Sequence, residues 1–477
     1  MEQTSNDESK TRRFRVLMFP WLAHGHMSPF LELSKRLAKN NFQIYFCSTE
    51  INLSFIKKDR NLDEYFSAHS IELVQLDLPH FPELPPHYHT TKNLPPHLNP
   101  TLHVAFYMGR TNFQNILNIL QPDLLIYDMF QAWASELASM FHIPAVLFLG
   151  GGAVFWSWSY FYDIINKGYS GIDGTYPFPA IFLRDYEIKR MAAFRQESKE
   201  KVPEEVVLSK TKGFEVSSDI VLLKACREID GKYIDHLSSS RGKKILAVGP
   251  LIELKHDDTK MEEETENSSH IIEFLNGREE SSVVYVCFGS EYFLSEEERE
   301  EMAYGLELSN ANFVWVVRFP VGHAIALEEA LPEEFLERVK DRGVVVDGWA
   351  PQAKILEHPS TGGFVSHCGW SSFMESLYYG VPLLALPMLY DQPFQARLAV
   401  EIGVGIEILR DEDGRIKREN VAKVIKEVVV EKIELGESVK QKAKELSHKL
   451  REEGEGQLHE AVEKLKSLCS KNQSQEQ

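Results

Sequence analysis

Apolar runs bounded by polar residues recur through both halves of the chain, with longer segments of helical spacing between them. The run Phe14 to Pro20 (FRVLMFP) predicts a strand buried on both faces, followed by a helix over about Pro29 to Lys39 and a strand at Gln43 to Cys47. Leu124 to Tyr127 and Ala145 to Leu149 predict further strands, with a helix from Ala132 to Phe141 between them. Short buried strands alternating with helices indicate a parallel sheet covered on both faces. From Phe155 to Glu215 the pattern weakens into an aromatic, irregular stretch. Such a stretch is either a substrate-contacting loop or an insertion over the sheet.

After Gly249-Pro250 comes LIELKHDDTKMEEETENSSH, acidic and without periodicity, which reads as an interdomain linker. The alternation then restarts at Ser282 to Phe288, Phe313 to Val317, Gly343 to Val346, Gly363 to Val365, Pro382 to Leu386 and Gly405 to Ile408. Helices are expected at Ser295 to Leu308 and Phe394 to Ile402, and a charged helical run covers about Val421 to Leu468. The expected organisation is an N-terminal domain over 1–250, a linker over 251–270, a C-terminal domain over 271–455, and a tail over 456–477 that packs back on the first domain. Two doubly wound α/β domains in tandem would place a ligand cleft at the C-terminal ends of their strands.

Length and charge narrow the partners. A chain of 477 residues exceeds what one hydrophobic core usually supports, and 43% hydrophobic residues suit a globular protein. The formal charge of −19 argues against nucleic acid or an anionic membrane as partner. Cys47, Cys226, Cys287, Cys368 and Cys469 are scattered, without CxxC spacing, which fits a reducing compartment. The polar start MEQTSNDESKTRR and the lack of any long apolar stretch predict neither a signal peptide nor a membrane span. A cytoplasmic monomer is the expectation.

The densest chemistry lies between Trp349 and Gln392. The strand Gly363 to Val365 runs through Ser366-His367-Cys368-Gly369 into Trp370-Ser371-Ser372, which opens a helix toward Glu375. A helix start exposes N–H groups and a positive dipole end, so it suits an anion. Ser371 and Ser372 are equally readable as helix caps. Cys287-Phe288-Gly289-Ser290 is a second small turn after a strand, and Trp349, before Ala350-Pro351-Gln352, offers a face for stacking on a base.

This block resembles the donor-binding signature of the plant UDP-dependent glycosyltransferases (family 1, GT-B fold). They are inverting, metal-independent enzymes of two facing Rossmann-like domains. The resemblance extends over the whole chain through FPWLAHGHMSP, VVYVCFGS, FVWVVR and RGVVVDGWAPQ. It implies that Trp349 stacks on uracil beside the Ala350 backbone and that Gln352 and Glu375 contact the ribose. His367, Gly369, Ser372 and Ser290 would bind the phosphates, and Trp370, Asp391 and Gln392 the sugar. The family usually has Trp-Asn-Ser where this chain has Trp370-Ser371-Ser372, which shortens the reach at Ser371. That substitution, with PWLAHGHMSPFLEL, FGSEYFLS and VVRFPVG, is similar to the branch that adds sugar to sugar. The closing Gln392 resembles the glucose-preferring members.

His24-Gly25-His26 follows the first strand, and a neutral imidazole suits removal of a hydroxyl proton near pH 7. The resemblance makes His26 the general base and Asp128, at the end of Leu124 to Tyr127, the carboxylate that orients it. An Asp at a strand end is otherwise a cap or turn residue. The resemblance implies transfer of glucose from UDP-glucose to a hydroxyl of a small plant glycoside, forming a β-1,6 or β-1,2 linkage with neither metal nor cofactor. Direct action on an aglycone, or another UDP-sugar, is the alternative. His24, Gly150, Phe155, Trp158 and Tyr390 are the candidate acceptor contacts; Gly150-Gly151-Gly152 stands where many relatives carry Thr or Ser. A metal hydrolase lacks its further ligands, an NAD-type dehydrogenase its GxGxxG and a serine hydrolase its GxSxG. A nucleotide-sugar-binding protein without turnover stays open as a rival.

Overall fold

The computed structural model describes residues 13–166, 175–203, 206, 212–252, 266–320 and 325–473. Most of the expected linker (253–265), the polar N-terminal residues 1–12 and the last residues of the tail (474–477) lie outside the described residues. The chain divides into two compact units, one of Met1–Leu149, Val202–Leu222 and His459–Gln477, the other of Gly150–Lys201 and Leu223–Leu458.

Thirteen strands are described: β1 Phe14–Phe19, β2 Phe42–Ser48, β3 Ile71–Gln75, β4 Leu124–Tyr127, β5 Ala145–Leu149, β6 Ile220–Leu223, β7 Lys244–Ala247, β8 Val283–Cys287, β9 Asn312–Val317, β10 Gly343–Asp347, β11 Thr361–Ser366, β12 Leu383–Ala385 and β13 Gly405–Glu407. They form a seven-stranded sheet in the order β3-β2-β1-β4-β5-β6-β7 and a six-stranded sheet in the order β10-β9-β8-β11-β12-β13. The pairings of β1 with β2 and β4, of β8 with β9 and β11, and of β12 with β11 and β13 are parallel. The central strands carry apolar runs because both of their faces are covered: every residue of β4, β5 and β8 is buried. In the second unit the sheet packs around Phe313 and fully buried Trp315, with Met302 and Leu306 of the helix Glu296–Ser309 against them.

Two expectations are corrected. The first helix begins at His24, not near Pro29, and runs to Lys39, with Ala23 as a cap residue that supplies no side-chain bond. Pro29 therefore sits inside the helix, where its missing N–H removes only the bond to the Gly25 carbonyl one turn earlier. His24 and His26 thus occupy the helix's first turn. The segment Phe155 to Glu215 is not irregular throughout: it contains the helices Ala153–Asn166 and Asp185–Lys201. The first backbone N–H of Ala153–Asn166 is satisfied from a distant element, donating to Asp230 Oδ2 at 2.7 Å.

Candidate active site

Each sheet reverses its winding at one place. In the first, β1 continues to β2 and β3 on one side while β4 continues to β5 on the other, so the switch lies between β1 and β4. In the second it lies between β8 and β11. Open parallel sheets bind ligands at the C-terminal ends of the strands flanking such a point. His26 follows β1 and Asp128 follows β4; Ser290 follows β8 and His367 follows β11. These four candidate residues therefore fall at the switch points, while Trp349 follows the edge strand β10 and Asp391 follows β12.

In the first unit, Phe19 and Tyr127 are register partners at the ends of β1 and β4. From there His26 and Asp128 meet, with Nδ1 and Oδ2 2.7 Å apart. Asp128 is 1% exposed, and its other oxygen accepts from the Phe130 N–H at 3.4 Å, capping the short turn that follows. An ionised carboxylate can only accept, so Nδ1 carries the proton and Nε2 the lone pair. The His26 ring also packs on Phe130, centroids 5.3 Å apart, and Phe130 lies against Trp21 and His103, which stack on each other at 4.2 Å. His24, in the same first turn, is exposed.

In the second unit, Trp349 follows β10 through Gly348, whose φ is +83°, and presents its ring to solvent at 52% exposure. Ala350 is buried beside it. Gln352 Nε2 donates to Glu375 Oε2 at 2.7 Å and to Ser372 Oγ at 3.2 Å, while Tyr285 OH donates to its Oε1 at 3.4 Å. Gln352, Glu375 and Ser372 are thus one connected polar group. Gly369, not a serine, caps the helix Trp370–Tyr378, so the reading of Ser371 and Ser372 as caps is corrected. Ser371 Oγ instead accepts from Lys224 Nζ at 3.0 Å.

His367 lies between two glycines. A Cβ on Gly289, whose φ is +74°, would sit 2.6 Å from His367 Nε2, and one on Gly369 closer still. Burial pushes the His367 imidazole down to about 4, so it is neutral at pH 7 and retains one N–H to give. Its Nδ1 is buried without a hydrogen-bond partner. Ser290 is exposed in the turn beyond Gly289.

Asp391 and Gln392 begin the helix Gln392–Glu401. Gln392 Oε1 accepts from the N–H groups of Met388 and Leu389 at 2.9 and 2.8 Å, which leaves its NH2 as the donor group. Asp391 Oδ2 accepts from Gln395 at 2.6 Å. Phe155 and Trp158 pack on Phe394 of this helix, with centroids 5.6 and 4.7 Å away, and Tyr390 is exposed at φ +56°. In the glycine run that starts at Gly150, a Cβ on Gly151 would lie 3.7 Å from Asp391 Oδ2, and one on Gly152 would strike the Trp370 ring at 2.7 Å.

The residue pattern did not reveal Phe130, Tyr285 or Lys224. The Asp128-Met129-Phe130 spacing is that of a side-chain-capped turn and could have marked Phe130; a lysine directly after the apolar run Ile220 to Leu223 could have marked Lys224. Among the described residues, no group of three or more His, Cys, Asp or Glu side chains is placed to hold a metal, and no helix is long and apolar enough to cross a membrane.

Residues 252–451 match the family model of UDP-glucoronosyl and UDP-glucosyl transferases, and residues 13–156 match that of the glycosyltransferase N-terminal domain. The chain is 49% identical over 458 residues to mogroside IIIx synthase of Siraitia grosvenorii, covering 96% of this chain and 98% of that one. It is 46% identical over 453 residues to the β-D-glucosyl crocetin β-1,6-glucosyltransferase of Gardenia jasminoides, covering 95% and 98%. In fold it matches Glycyrrhiza uralensis UGT73P12 complexed with glycyrrhetinic acid 3-O-monoglucuronide, with a TM-score of 0.81 at 23% identity over 97% of this chain and 98% of that one. With two Rossmann-like parallel sheets and near full-length similarity to such enzymes, this chain belongs to the plant family 1 UDP-glycosyltransferases of GT-B fold.

Proposed function

We propose that this enzyme transfers glucose from UDP-glucose, with inversion, to a hydroxyl of a sugar already attached to a small plant metabolite. The observation that carries the reading is the His26–Asp128 pair at the first switch point. Asp128 accepts a hydrogen bond from Nδ1–H and fixes the tautomer, so Nε2 receives the proton of the acceptor hydroxyl. As that proton moves, the hydroxyl oxygen bonds to C1 of the donor sugar. The C1–O bond to the β-phosphate breaks with its electron pair on the phosphate oxygen, and UDP leaves carrying the added negative charge.

The groups we assign to that charge are the N–H groups at the start of Trp370–Tyr378, the Ser372 and Ser290 hydroxyls, and neutral His367. The step uses no metal. Trp349 stacks on uracil, and Gln352 with Glu375 takes the ribose. Asp391, an acceptor, and the Gln392 NH2, a donor, read the sugar hydroxyls with opposite polarity. In this division residues 1–250 serve the acceptor, with His24, Phe155 and Trp158 as candidate contacts, and residues 271–455 serve the donor.

Extension of a glycoside is supported by Trp370-Ser371-Ser372 and by the Gardenia relative, named for adding glucose to a glucoside; its β-1,6 linkage is the one we assign here over β-1,2. All five cysteines are buried free thiols, which suits the cytoplasm, and we assign a monomer. The test is UDP release and product mass with UDP-glucose, each acceptor offered as aglycone and as monoglucoside. Turnover on the monoglucosides, with one hexose added, is expected. Turnover confined to aglycones would overturn glycoside extension.

A further inference from the structure

Trp156 carries a hydrogen-bond donor that the mechanism above does not use. It lies one turn into the helix Ala153–Asn166 at 7% exposure, and its Nε1 is buried with no hydrogen-bond partner among the described residues. An indole N–H can only donate, and a buried one ordinarily finds an acceptor. A phenylalanine would fill the same place without leaving a polar group unpaired. The ring itself is held by its neighbours, edge-on to Phe155 with centroids 4.9 Å apart and beside Tyr160 at 6.1 Å.

Gly151 marks what lies beside that N–H. A Cβ on this glycine would sit 3.6 Å from Trp156 Nε1 and 3.7 Å from Asp391 Oδ2, with no other non-neighbouring atom of the described residues within 4 Å. A donor and a carboxylate oxygen thus border one point, and a methyl group fits there without a clash. The helices Ala153–Asn166 and Gln392–Glu401 belong to one compact unit, and Phe155 and Trp158 lock them together on Phe394. Asp230 holds the first N–H of Ala153–Asn166, so packing sets the distance from the indole to the carboxylate. A hydroxyl, which accepts and donates at once, is the group that suits both atoms.

We propose that Trp156 is a specificity-determining contact for the donor sugar: its Nε1–H donates to a sugar hydroxyl that donates in turn to Asp391 Oδ2. The inference rests on the reading of Asp391 as a sugar contact. That oxygen is held in place by the Gln395 amide, which donates to it at 2.6 Å. A carboxylate alone accepts from any hydroxyl that reaches it, whereas a carboxylate paired with an N–H fixes where the hydroxyl oxygen stands. A sugar that lacks this hydroxyl, or carries it inverted, leaves the indole N–H buried and unpaired, and is disfavoured for that reason. Gly151 belongs to the same arrangement, because a side chain there would take the place of the hydroxyl.

The test measures binding of UDP, UDP-glucose and each single-deoxy analogue of UDP-glucose, by calorimetry, in the wild-type protein and in Trp156→Phe. The variant keeps an aromatic ring and removes the N–H. UDP affinity is expected to stay within about twofold of wild type, and UDP-glucose to weaken roughly three- to tenfold. With the analogue that lacks the bridging hydroxyl, wild type and variant should bind alike, and with the others the loss should persist. UDP-glucose bound equally well by the variant, UDP weakened in parallel, or a loss that persists with every analogue overturns the inference and leaves the sugar site standing. Wild-type protein that binds every deoxy analogue as tightly as UDP-glucose would instead sink the sugar-site reading and the inference together. Should Trp156→Phe not fold, Gly151→Ala decides. Its methyl group should weaken UDP-glucose several-fold with UDP unchanged, and an unchanged ratio of the two affinities overturns the inference.

Discussion

His367 can serve a phosphate only while two neighbours lack side chains. Gly289 adopts φ +74°, a region that L side chains rarely enter, and its Cβ would sit 2.6 Å from the imidazole Nε2. Gly289→Ala is therefore expected to displace the ring and to weaken UDP binding at least tenfold, while uridine, which we assign to Trp349, Gln352 and Glu375, is retained. Calorimetry with both ligands checks this; unchanged UDP affinity would show that the ring is not a phosphate contact. At this scale the sequence was informative about position: His26, Asp128, His367 and Trp349 each follow a strand, as their preceding apolar runs indicate. It was silent on Lys224 and Phe130. Their contacts are with residues far away in sequence, Ser371 and Trp370 for one, His26 for the other, and no local spacing encodes such a meeting.

Among the elements, the helix Ala153–Asn166 depends on a cap from elsewhere. Asp230 accepts its first N–H, is fully buried, and its second oxygen has no hydrogen-bond partner. Burial pushes its carboxyl up to about 7 from an ordinary value of 3.8. Between those values the unfolded chain has released a proton that the folded chain keeps, so this group's contribution to stability falls as pH rises from about 4 to 7. Asp230→Asn preserves the acceptor oxygen and removes the ionisation. It should leave stability near that of wild type at pH 5 and raise it by roughly 1–3 kcal/mol at pH 8, read from denaturant midpoints. A larger gain at pH 5 than at pH 8 would reverse the assigned sign.

The same scale explains which elements were legible. The buried central strands were read within a residue or two because their apolar runs are continuous, and Ser295 marked a helix start that closes with a Ser295–Glu298 capping box. The strands β3, β6 and β7 were not read. β3 lies at the sheet's edge with only Ile71 buried, and β7 has an exposed lysine at its start, whereas β6, IVLL, carries the same apolar signal as β4 and no structural feature hides it. The helix Ala153–Asn166 was obscured by its aromatic residues, which carry weak helix preference. It is fixed instead by packing Phe155 and Trp158 on Phe394 and by the Asp230 cap.

For the whole molecule, two parallel sheets each reverse at one point, with His26 and Asp128 after the strands that flank one and Ser290 and His367 after those that flank the other. The net charge of −19 gives no help in holding a diphosphate, so anion binding must come from a helix start, two glycine turns and short-range donors. We propose that His26 removes the acceptor proton and has no part in holding the donor. Single-turnover glucose transfer by His26→Ala, with UDP affinity determined on the same sample, tests it most directly. The expected result is UDP affinity within about twofold of wild type and a transfer rate lower by roughly 10²–10⁴. A rate near wild type, with UDP affinity retained, would contradict it.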